Sequence, residues 1–273
     1  DDFLGSDYSR IVLVASGSSY NAALCAKEGM EQNLKIPVKI ITPFYCENYF
    51  CPDKKDYLVF ASQSGYSSNI VSAAQKKKKN FPIVCVTGHP ESDLARIADK
   101  IFDYGLCEEK VGYVTKGVIL LAVYFWMFPA EAGQKTGAIS KAEYEKCYME
   151  LGKAAVWAEE MVGKAKNCFQ KFEKEFLSMN RVIFCGTGTG IGTVTEAALK
   201  ISETVRIPCV ICDPEEFLHG YYYQIDPSYT VFLVSDRTET NIRIETIGSA
   251  VREVTERVFV IENGSQSSSD KVI

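Results

Sequence analysis

The stretch Arg10-Ile-Val-Leu-Val-Ala-Ser-Gly17 matches Arg181-Val-Ile-Phe-Cys-Gly-Thr-Gly188 without a gap, at an offset of 171 residues. The same offset pairs Ile36-Pro37 with Ile207-Pro208. Each copy begins with a short apolar run, turns through Gly with Ser or Thr, and continues into a helical pattern and a second apolar run. The repeat therefore predicts that the chain consists of two similar α/β halves.

Further apolar runs predict the remaining strands. They are Tyr57–Ala61 and Pro82–Thr87 in the first half, and Tyr229–Val234 and Val258–Ile261 in the second. Helical patterns near Ser67–Lys79 and Asn241–Arg257 separate the strands of each pair. Short apolar strands that alternate with helices indicate parallel sheets covered on both faces. We therefore predict two three-layer α/β/α halves with mainly parallel sheets.

The predicted domain boundaries follow from the repeat. The first domain covers residues 1–135, a helical connector covers 136–180, and the second domain covers 181–273. The most apolar stretch, Gly117 to Ala130, has the length of a buried core helix and is too short to span a bilayer. We expect no membrane segment.

Composition excludes several classes of partner. The 30 Lys and Arg against 35 Asp and Glu give a net charge of −5, which favours neither nucleic acid nor an anionic membrane. Several of the ten cysteines lie in apolar runs, as reduced core thiols do, so we expect a cytoplasmic protein. Cys209 and Cys212 have C-x-x-C spacing but lie in a β-like run, where their side chains point to opposite faces. We predict neither a redox pair nor a metal site there.

Two strand-to-helix turns carry polar residues. Gly17-Ser18-Ser19-Tyr20 follows the first strand, and Ser62-Gln63-Ser64-Gly65-Tyr66-Ser67 follows the third. Ligands of parallel sheets bind beyond the carboxyl ends of the strands, and N–H groups at a helix start favour anions. Together the turns suit a phosphate with adjacent sugar hydroxyls. The alternative is that Ser64 and Ser67 only cap a helix.

A third turn, Gly186-Thr-Gly-Thr-Gly-Ile-Gly192, resembles a dinucleotide fingerprint but lacks the third glycine in either register. Asp213 after the next strand would suit a ribose hydroxyl, but no other feature supports a nucleotide. The sequence also contains no P-loop motif. We predict no cofactor.

The helix after this turn holds Glu196, Lys200 and Glu203, whose spacing places them on one face. They form either a solvated stripe or a proton-transfer group, because carboxylates beside an ammonium suit proton movement at a sugar carbon. His219 lies beyond a strand end, where a group that titrates near neutrality could open a sugar ring. His89, in Thr87-Gly-His-Pro90, fits a turn.

These residues resemble the SIS (sugar isomerase) family over nearly the whole chain. Within that family the sequence is similar to the isomerase half of glutamine–fructose-6-phosphate aminotransferase and to the fructosamine 6-phosphate deglycases. Gly17-Ser-Ser-Tyr20 resembles the first sugar-binding turn, and Ser62-Gln-Ser-Gly65 with Ser67 resembles the phosphate loop. The segment Glu109 to Lys116 resembles the family's Glu-x-x-x-x-x-Thr-Lys motif. The resemblance implies two SIS-type halves and an enzyme of sugar phosphates.

The resemblance also implies roles for individual residues. Glu203 matches the enolisation base, Lys200 a substrate-proximal amine, Glu196 a sugar-binding carboxylate and His219 the ring-opening histidine. The family's histidine reaches the site of a neighbouring subunit, and together with the apolar helix Gly117–Ala130 this implies a homodimer or higher homo-oligomer with shared sites. The implied substrate-binding residues are Gly17, Ser18, Ser19, Ser62, Gln63, Ser64, Ser67, Glu109 and Glu196.

Three departures from the family pattern are visible. Tyr221 stands where the family often has Pro after His-Gly, and two more tyrosines follow, so the pocket would be more aromatic. No amidotransferase segment precedes the repeats in this chain. The family usually continues into a tail with a catalytic lysine, whereas this chain runs from Asp1, without Met, to Ile273, so we expect that its ends are incomplete.

The sequence thus predicts an enzyme that cleaves or isomerises an amino-sugar or fructosamine 6-phosphate through an enediol- or enamine-like intermediate. A simple aldose–ketose isomerase is one alternative. A non-catalytic sugar-phosphate sensor is another, because one fold can serve both roles.

Overall fold

A computed structural model describes residues 3–236 and 238–262 of the chain. The chain divides into two compact units, Asp1–Leu151 and Gly152–Ile273. This division falls inside the segment 136–180, which the sequence predicts to be a connector. The predicted tail, Ser267 to Ile273, lies outside the described residues.

Five parallel strands form the sheet of the first unit. They are β1 (Arg10–Val14), β2 (Val38–Ile41), β3 (Asp56–Ser62), β4 (Val84–Thr87) and β5 (Lys100–Asp103). Their order across the sheet is β2-β1-β3-β4-β5. Val14 pairs with Ile41 on one side and with Phe60 on the other, so the turns that follow β1 and β3 are neighbours.

Helices cover both faces of this sheet. They are α1 (Ser18–Leu34), α2 (Pro43–Asn48), α3 (Ser68–Lys78), α4 (Asp93–Ile97) and α5 (Lys116–Thr136). One face carries α1 and α5, which contribute Met30 and Phe125 to its core. The other face carries α2, α3 and α4, represented in its core by Cys46, Ile70 and Leu94. The strands are therefore buried on both sides, which explains why they are continuously apolar.

Helix α5 confirms the predicted core helix. Among the described helices it alone is long and apolar enough, by length and composition, to cross a membrane. Leu121 and Phe125 are buried in the core beside α1, and Gly29 of α1 lies so close to Trp126 that a Cβ there would come within 2.6 Å of the indole ring. Burial within the first unit accounts for part of the apolar surface of α5, and Ile119 remains 62% exposed.

The second unit has a four-stranded parallel sheet. Two helices, α6 (Lys141–Lys171) and α7 (Glu173–Leu177), precede it in the chain. The strands are β6 (Val182–Gly186), β7 (Cys209–Cys212), β8 (Thr230–Val234) and β9 (Val258–Ile261), in the order β7-β6-β8-β9. The remaining elements are α8 (Gly190–Thr204), α9 (Pro214–His219), a 3₁₀ turn (Tyr221–Gln224) and α10 (Thr238–Arg252).

The helices of this unit lie on different faces of the sheet. Val194 and Ala198 of α8 pack with Val182 and Phe184 on one face. On the other face, Phe217 of α9 lies in a separate core that α10 also lines. The sheets of both units begin with the same strand order, and β7 lies 171 residues after β2. The predicted three-layer arrangement with parallel sheets is confirmed, whereas the relation of the two halves by an internal repeat stays a prediction.

Candidate functional site

The turn after β1 is open at the carboxyl edge of the first sheet. Gly17 has φ +56, and a Cβ placed on it would have no atom within 4 Å. Ser18 begins α1 directly after this glycine. The Ser16 hydroxyl accepts a hydrogen bond from the Asn69 amide at 3.4 Å, and Asn69 lies in the first turn of α3. This contact joins the turns that follow β1 and β3.

The loop from Ser62 to Ser67 is rigid at its base and exposed at its tip. The buried Ser62 hydroxyl accepts from the Gly65 N–H at 3.1 Å. Gly65 has φ +68, and a Cβ there would approach the Ser92 hydroxyl to 2.0 Å, so only glycine fits this position. Ser64 and Ser67 are both exposed. The loop therefore presents its hydroxyls outward from a fixed backbone.

The helix-cap explanation for Ser67 is wrong. Ser67 is the N-cap residue of α3, but its side chain makes no capping hydrogen bond. Ser64 accepts only from the N–H of Tyr66, at 3.3 Å, which lies outside the helix. The first N–H groups of α3, on Ser68 and Asn69, have no partner within the helix because of their position. Such groups favour a bound anion, and the helix dipole adds to the effect.

Gln63 is held by Glu109 and by the backbone. The Gln63 amide donates to Glu109 Oε2 at 2.8 Å. Its backbone carbonyl accepts from the Gly88 N–H at 3.1 Å and from the Thr87 hydroxyl at 3.2 Å. A Cβ on Gly117 would lie 1.9 Å from Gln63 Oε1, so the start of α5 packs directly on this amide. The side chain at the centre of the loop therefore has one defined position.

Glu109 caps α5. Its Oε1 accepts from the Thr115 N–H at 3.0 Å, the Thr115 hydroxyl at 2.8 Å and the Lys116 N–H at 2.5 Å. Burial disfavours the ionised carboxylate, but the hydrogen bonds from Thr115, Gln63 and the backbone outweigh it and lower the pKa of Glu109 to about 2. Both carboxylate oxygens are thus occupied by donors of the same unit.

In the second unit, a carboxylate fills the turn that follows β6. Asp236, just after β8, accepts from the Thr187 hydroxyl at 2.6 Å and from the Thr189 N–H at 3.0 Å. A Cβ on Gly188, which has φ +48, would meet Asp236 Oδ2 at 2.1 Å. The donors of this glycine-rich turn therefore already face an anionic group. This agrees with the failure of the dinucleotide pattern.

The side chains of Glu196, Lys200 and Glu203 form a connected group on α8. The Lys200 ammonium lies 2.8 Å from Glu203 Oε2 and 3.4 Å from Glu196 Oε1. Burial disfavours the charged lysine, but the hydrogen bond to Glu203 and the charge of Glu196 outweigh it and raise the pKa of Lys200. All three are partly buried, so the group is not a freely solvated stripe. The ammonium stays protonated at neutral pH between two carboxylates.

His219 does not join this group within the second unit. It is exposed and ends α9, the short helix that begins two residues after β7. Helix α8 lies on the other face of the sheet, and Glu203 is about 20 Å along it from its first residue at 1.5 Å per residue. His219 is therefore separated from Glu203 by the sheet.

Comparison with known proteins finds one matching family model. Residues 6–126 match the SIS domain. This match lies within the first unit and covers less than half of the chain. The glutamine–fructose-6-phosphate aminotransferase (isomerizing) of Listeria monocytogenes is 28% identical to this chain. The alignment covers all of this chain and 46% of that enzyme. The same enzyme from Clostridium tetani is 26% identical to this chain, and the alignment covers 97% of this chain and 44% of that enzyme.

A solved structure shares the fold over almost the full length. The C-terminal domain of glucosamine-fructose-6-phosphate aminotransferase from Francisella tularensis superposes with a TM-score of 0.91. The match covers 99% of this chain and 78% of that one, at 21% identity. The chain spans about half the length of the curated relatives that it matches.

The first unit brings some of the predicted site residues together and leaves others apart. Gly17, Ser18 and Ser19 lie on one turn and Ser62 to Ser67 on the adjacent one, joined by the Ser16–Asn69 contact. Glu109 adjoins them only through Gln63. Within residues 3–236 and 238–262, no three His, Cys, Asp or Glu side chains are grouped as metal ligands.

Sequence reasoning missed three residues around these turns: Asn69, Ser92 and Asp236. Asn69 was detectable, because it follows two serines at a predicted helix start. Ser92 and Asp236 act on turns that are distant in sequence, so no local pattern reveals them.

Replacing Glu109 by Gln is expected to destabilise the first unit by about 1–2 kcal/mol, because the start of α5 loses a charged cap. The Thr115→Val variant is the matched control, since it removes one donor to Oε1 and leaves the contact between Glu109 and Gln63 intact. Urea unfolding measures both, and we expect a loss below about 1 kcal/mol for the control. Equal losses would show that the charge of Glu109 adds nothing beyond the single hydrogen bond from the Thr115 hydroxyl.

The same residue predicts a pH dependence. Because the pKa of Glu109 is lowered from 4.5 to about 2 on folding, its contribution is fully present above pH 4.5. That contribution is lost as the pH falls through 2. Thermal unfolding between pH 5 and 2 should therefore show a shallower acid slope in Glu109→Gln than in the unmodified protein.

Proposed function

We propose that this chain is a phosphosugar-processing enzyme of the isomerase or deglycase type. It would cleave or isomerise an amino-sugar or fructosamine 6-phosphate through an enediol- or enamine-like intermediate. The observation that carries the proposal is the loop from Ser62 to Ser67, which presents the exposed hydroxyls of Ser64 and Ser67 at the open start of α3.

Several contacts support a phosphate at this loop. Ser64 and Ser67 are exposed, and the side chain of Ser67 makes no cap bond. The N–H groups of Ser68 and Asn69 point out of the helix start, where a dianion would receive charge-assisted hydrogen bonds. The adjacent turn from Gly17 to Ser19 lies within one strand spacing, about 4.8 Å, so a sugar attached to the phosphate would reach it.

The group on α8 supports a role in proton transfer. In the proposal, Glu203 moves a proton between adjacent sugar carbons, and the Lys200 ammonium lies 2.8 Å from its carboxylate. Glu196 binds the sugar and His219 opens its ring. Because His219 and Glu203 lie on opposite faces of their own sheet, the proposal assigns the histidine to the site of a second subunit.

Two alternatives share the phosphate loop. A simple aldose–ketose isomerase would use the same base without breaking a C–N bond. A sensor would bind the sugar phosphate and need no base at all. The partly buried Glu203, paired with Lys200 at 2.8 Å, favours an enzyme, because a sensor needs no such acid–base group to bind a sugar phosphate.

A substrate panel tests the proposal. Purified protein is incubated with fructosamine 6-phosphates, glucosamine 6-phosphate and fructose 6-phosphate, and released amine and aldose phosphate are measured. Amine release identifies a deglycase or deaminase, and interconversion without amine identifies an isomerase. Tight binding without turnover of any compound would favour the sensor, and absence of binding would refute the phosphate site.

Replacing both Ser64 and Ser67 by Ala is expected to weaken phosphosugar binding by about 1–3 kcal/mol through loss of charge-assisted hydrogen bonds. Calorimetric titration measures the change. The control is Ser72→Ala on α3, whose hydroxyl contacts Glu47 and not the loop. If unphosphorylated sugars bind the unmodified protein as well as phosphorylated ones, the loop does not bind phosphate.

We also propose a reducing compartment and no resident cofactor. All ten cysteines lie within the described residues, and each is a free thiol. Burial raises the pKa of Cys46 to about 11, so this thiol is inert at neutral pH. That neither nucleic acid nor a membrane is a partner stays a prediction, which rests on the net charge of −5.

A further inference from the structure

Three polar side chains form a row just beyond the strands of the second sheet. Thr187, Ser235 and Glu262 are the residues that directly follow β6, β8 and β9. Because Val234 pairs with the last residues of both β6 and β9, these three residues lie side by side. The row therefore runs along the carboxyl edge of this sheet.

Helix α10 covers the row. Leu233 and Val260, which lie two residues earlier on β8 and β9, belong to the same core as the buried residues of α10. Since side chains alternate along a strand, Ser235 and Glu262 face α10 as well. The Ser235 hydroxyl lies 2.6 Å from the hydroxyl of Thr240, in the first turn of α10. The start of α10 therefore closes over the carboxyl ends of β8 and β9.

The hydroxyls of the row form a chain that leads to Asp236. Thr187 donates to the Asp236 carboxylate at 2.6 Å, and its oxygen lies 3.2 Å from that of Thr240. Because the single proton of Thr187 is committed to Asp236, Thr240 donates to Thr187. Ser235 in turn donates to Thr240, whose own proton is then committed. The hydroxyl protons of this chain are thus directed away from Glu262.

Three acceptor atoms at the end of this chain are buried and receive no hydrogen bond from any described residue. They are the side-chain oxygen of Asn241 and both carboxylate oxygens of Glu262. Asn241 follows Thr240 on α10 and is only 7% exposed. A buried acceptor without a donor is costly, and a buried carboxylate without a positive partner costs more. These atoms therefore lack a positive charge.

Arg252 of α10 does not supply that charge. A Cβ on Gly248 would lie 3.3 Å from Arg252 Nη1 and 3.6 Å from Val260, so the guanidinium lies at the level of Val260. Glu262 is two residues, or about 6.6 Å, farther along the direction of β9. Among the described residues the Nη2 atom of Arg252 has no acceptor either, so these two groups do not pair.

We propose that Glu262, Asn241 and Ser235 bind a monovalent alkali cation between the carboxyl ends of β8 and β9 and the start of α10. Hard cations take oxygen ligands, and carboxylate, amide and hydroxyl oxygens are all present here. A single carboxylate among neutral oxygens balances one positive charge, because Asp236 is already engaged by Thr187. The site does not depend on the sugar chemistry, so its failure would leave the proposed function unaffected.

Thermal unfolding of the full chain in sodium, potassium and choline chloride at equal ionic strength tests the site. We expect sodium or potassium to raise the unfolding temperature by about 3–6 °C over choline, which is too large to enter. Glu262→Gln should abolish this difference. In choline chloride the variant should unfold no earlier than the unmodified protein, because it removes an unpaired buried charge.

The control is Glu245→Gln, which changes an exposed carboxylate on the same helix and should keep the salt difference. Equal unfolding temperatures of the unmodified protein in all three salts would overturn the proposal. A loss in Glu262→Gln that is the same in every salt would assign Glu262 to Arg252 and would also overturn it.

Sodium NMR detects the cation directly. Exchange with the site should broaden the sodium line, potassium should reverse the broadening by competition, and Glu262→Gln should remove it. Asn241→Asp adds a second carboxylate and should tighten calcium binding about tenfold, because the charge of the ligands sets the affinity for a divalent ion. Broadening that persists in Glu262→Gln would overturn the site, and unchanged calcium binding would exclude Asn241 as a ligand.

Discussion

Glu203→Gln is expected to abolish turnover while phosphosugar binding stays nearly unchanged. An amide keeps the shape of the carboxylate and still accepts a hydrogen bond from Lys200, but it cannot take a proton from carbon. A positioned general base contributes about 10²–10⁴-fold to the rate, which is the expected loss in kcat. Steady-state kinetics and calorimetric titration of the same preparation measure the two effects.

Glu196→Gln is the matched control on the same helix. Glu196 lies 3.4 Å from Lys200, so its loss should affect substrate binding and KM more than kcat. Reaction in D₂O should place deuterium at C1 or C2 of the product when the base exchanges with solvent. Full activity of Glu203→Gln would exclude Glu203 as the base.

Gly65→Ala is expected to destabilise the first unit by about 2–4 kcal/mol and to weaken phosphosugar binding at least about tenfold. Alanine at this position would be strained, because the backbone is left-handed at φ +68. Its Cβ would also lie 2.0 Å from the Ser92 hydroxyl, so the loop must move. Displacement of the loop then misplaces Ser64 and Ser67. Urea unfolding and titration with a sugar phosphate measure both losses.

Gly105→Ala separates strain from overlap. Gly105 has φ +78, but a Cβ there would have no atom within 4 Å, so only the conformational cost of about 1 kcal/mol is expected. Adding Ser92→Gly to Gly65→Ala should recover part of the lost stability, because it removes the overlapping atoms. Equal losses in Gly65→Ala and Gly105→Ala would show that the contact with Ser92 does not position the loop.

Central strands could be predicted because they are buried on both faces. The predicted strand Tyr229–Val234 contains the whole of the central strand β8, and the predicted helix Ser67–Lys79 differs from α3 by one residue at each end. The edge strand β5 was missed, because Lys100 and Asp103 flank only two apolar residues and no continuous run appears. A short edge strand such as β5, whose residues alternate between partly buried and exposed, lacks the sequence signal that double burial creates.

Helix ends were predictable in principle. The short helix α9 was read only as a segment beyond a strand, although Asp213 and Pro214 are a standard N-cap and first-turn pair. The Asp213 carboxylate accepts from the N–H groups of Glu215 and Glu216, so it caps a helix and is not free for a ribose.

The candidate site could be predicted only in part. The turns from Gly17 and Ser62 follow from local pattern, because glycine and serine after a strand point to an anion-binding turn. Glu109 is different, since its donors at Thr115 and Lys116 lie six and seven residues away, beyond capping-box spacing. Sequence cannot distinguish such a remote cap from a ligand-binding carboxylate. The resemblance suggested a substrate contact, and that role stays a prediction.

Asp236 makes the two units unequal in their capacity to bind an anion at the turn after the first strand of each sheet. Its carboxylate sits against the turn after β6, where the first unit instead has the open turn after β1. A dianion that binds at the turn after β6 would have to displace the Asp236 carboxylate. Because Asp236 is part of the same chain, its effective concentration at this turn is constant. Saturation with inorganic phosphate should therefore stop at one equivalent per chain, however far the titration is extended. The turn after β6 then holds no ligand, whereas the side chains on α8 and α9 keep the roles proposed for them.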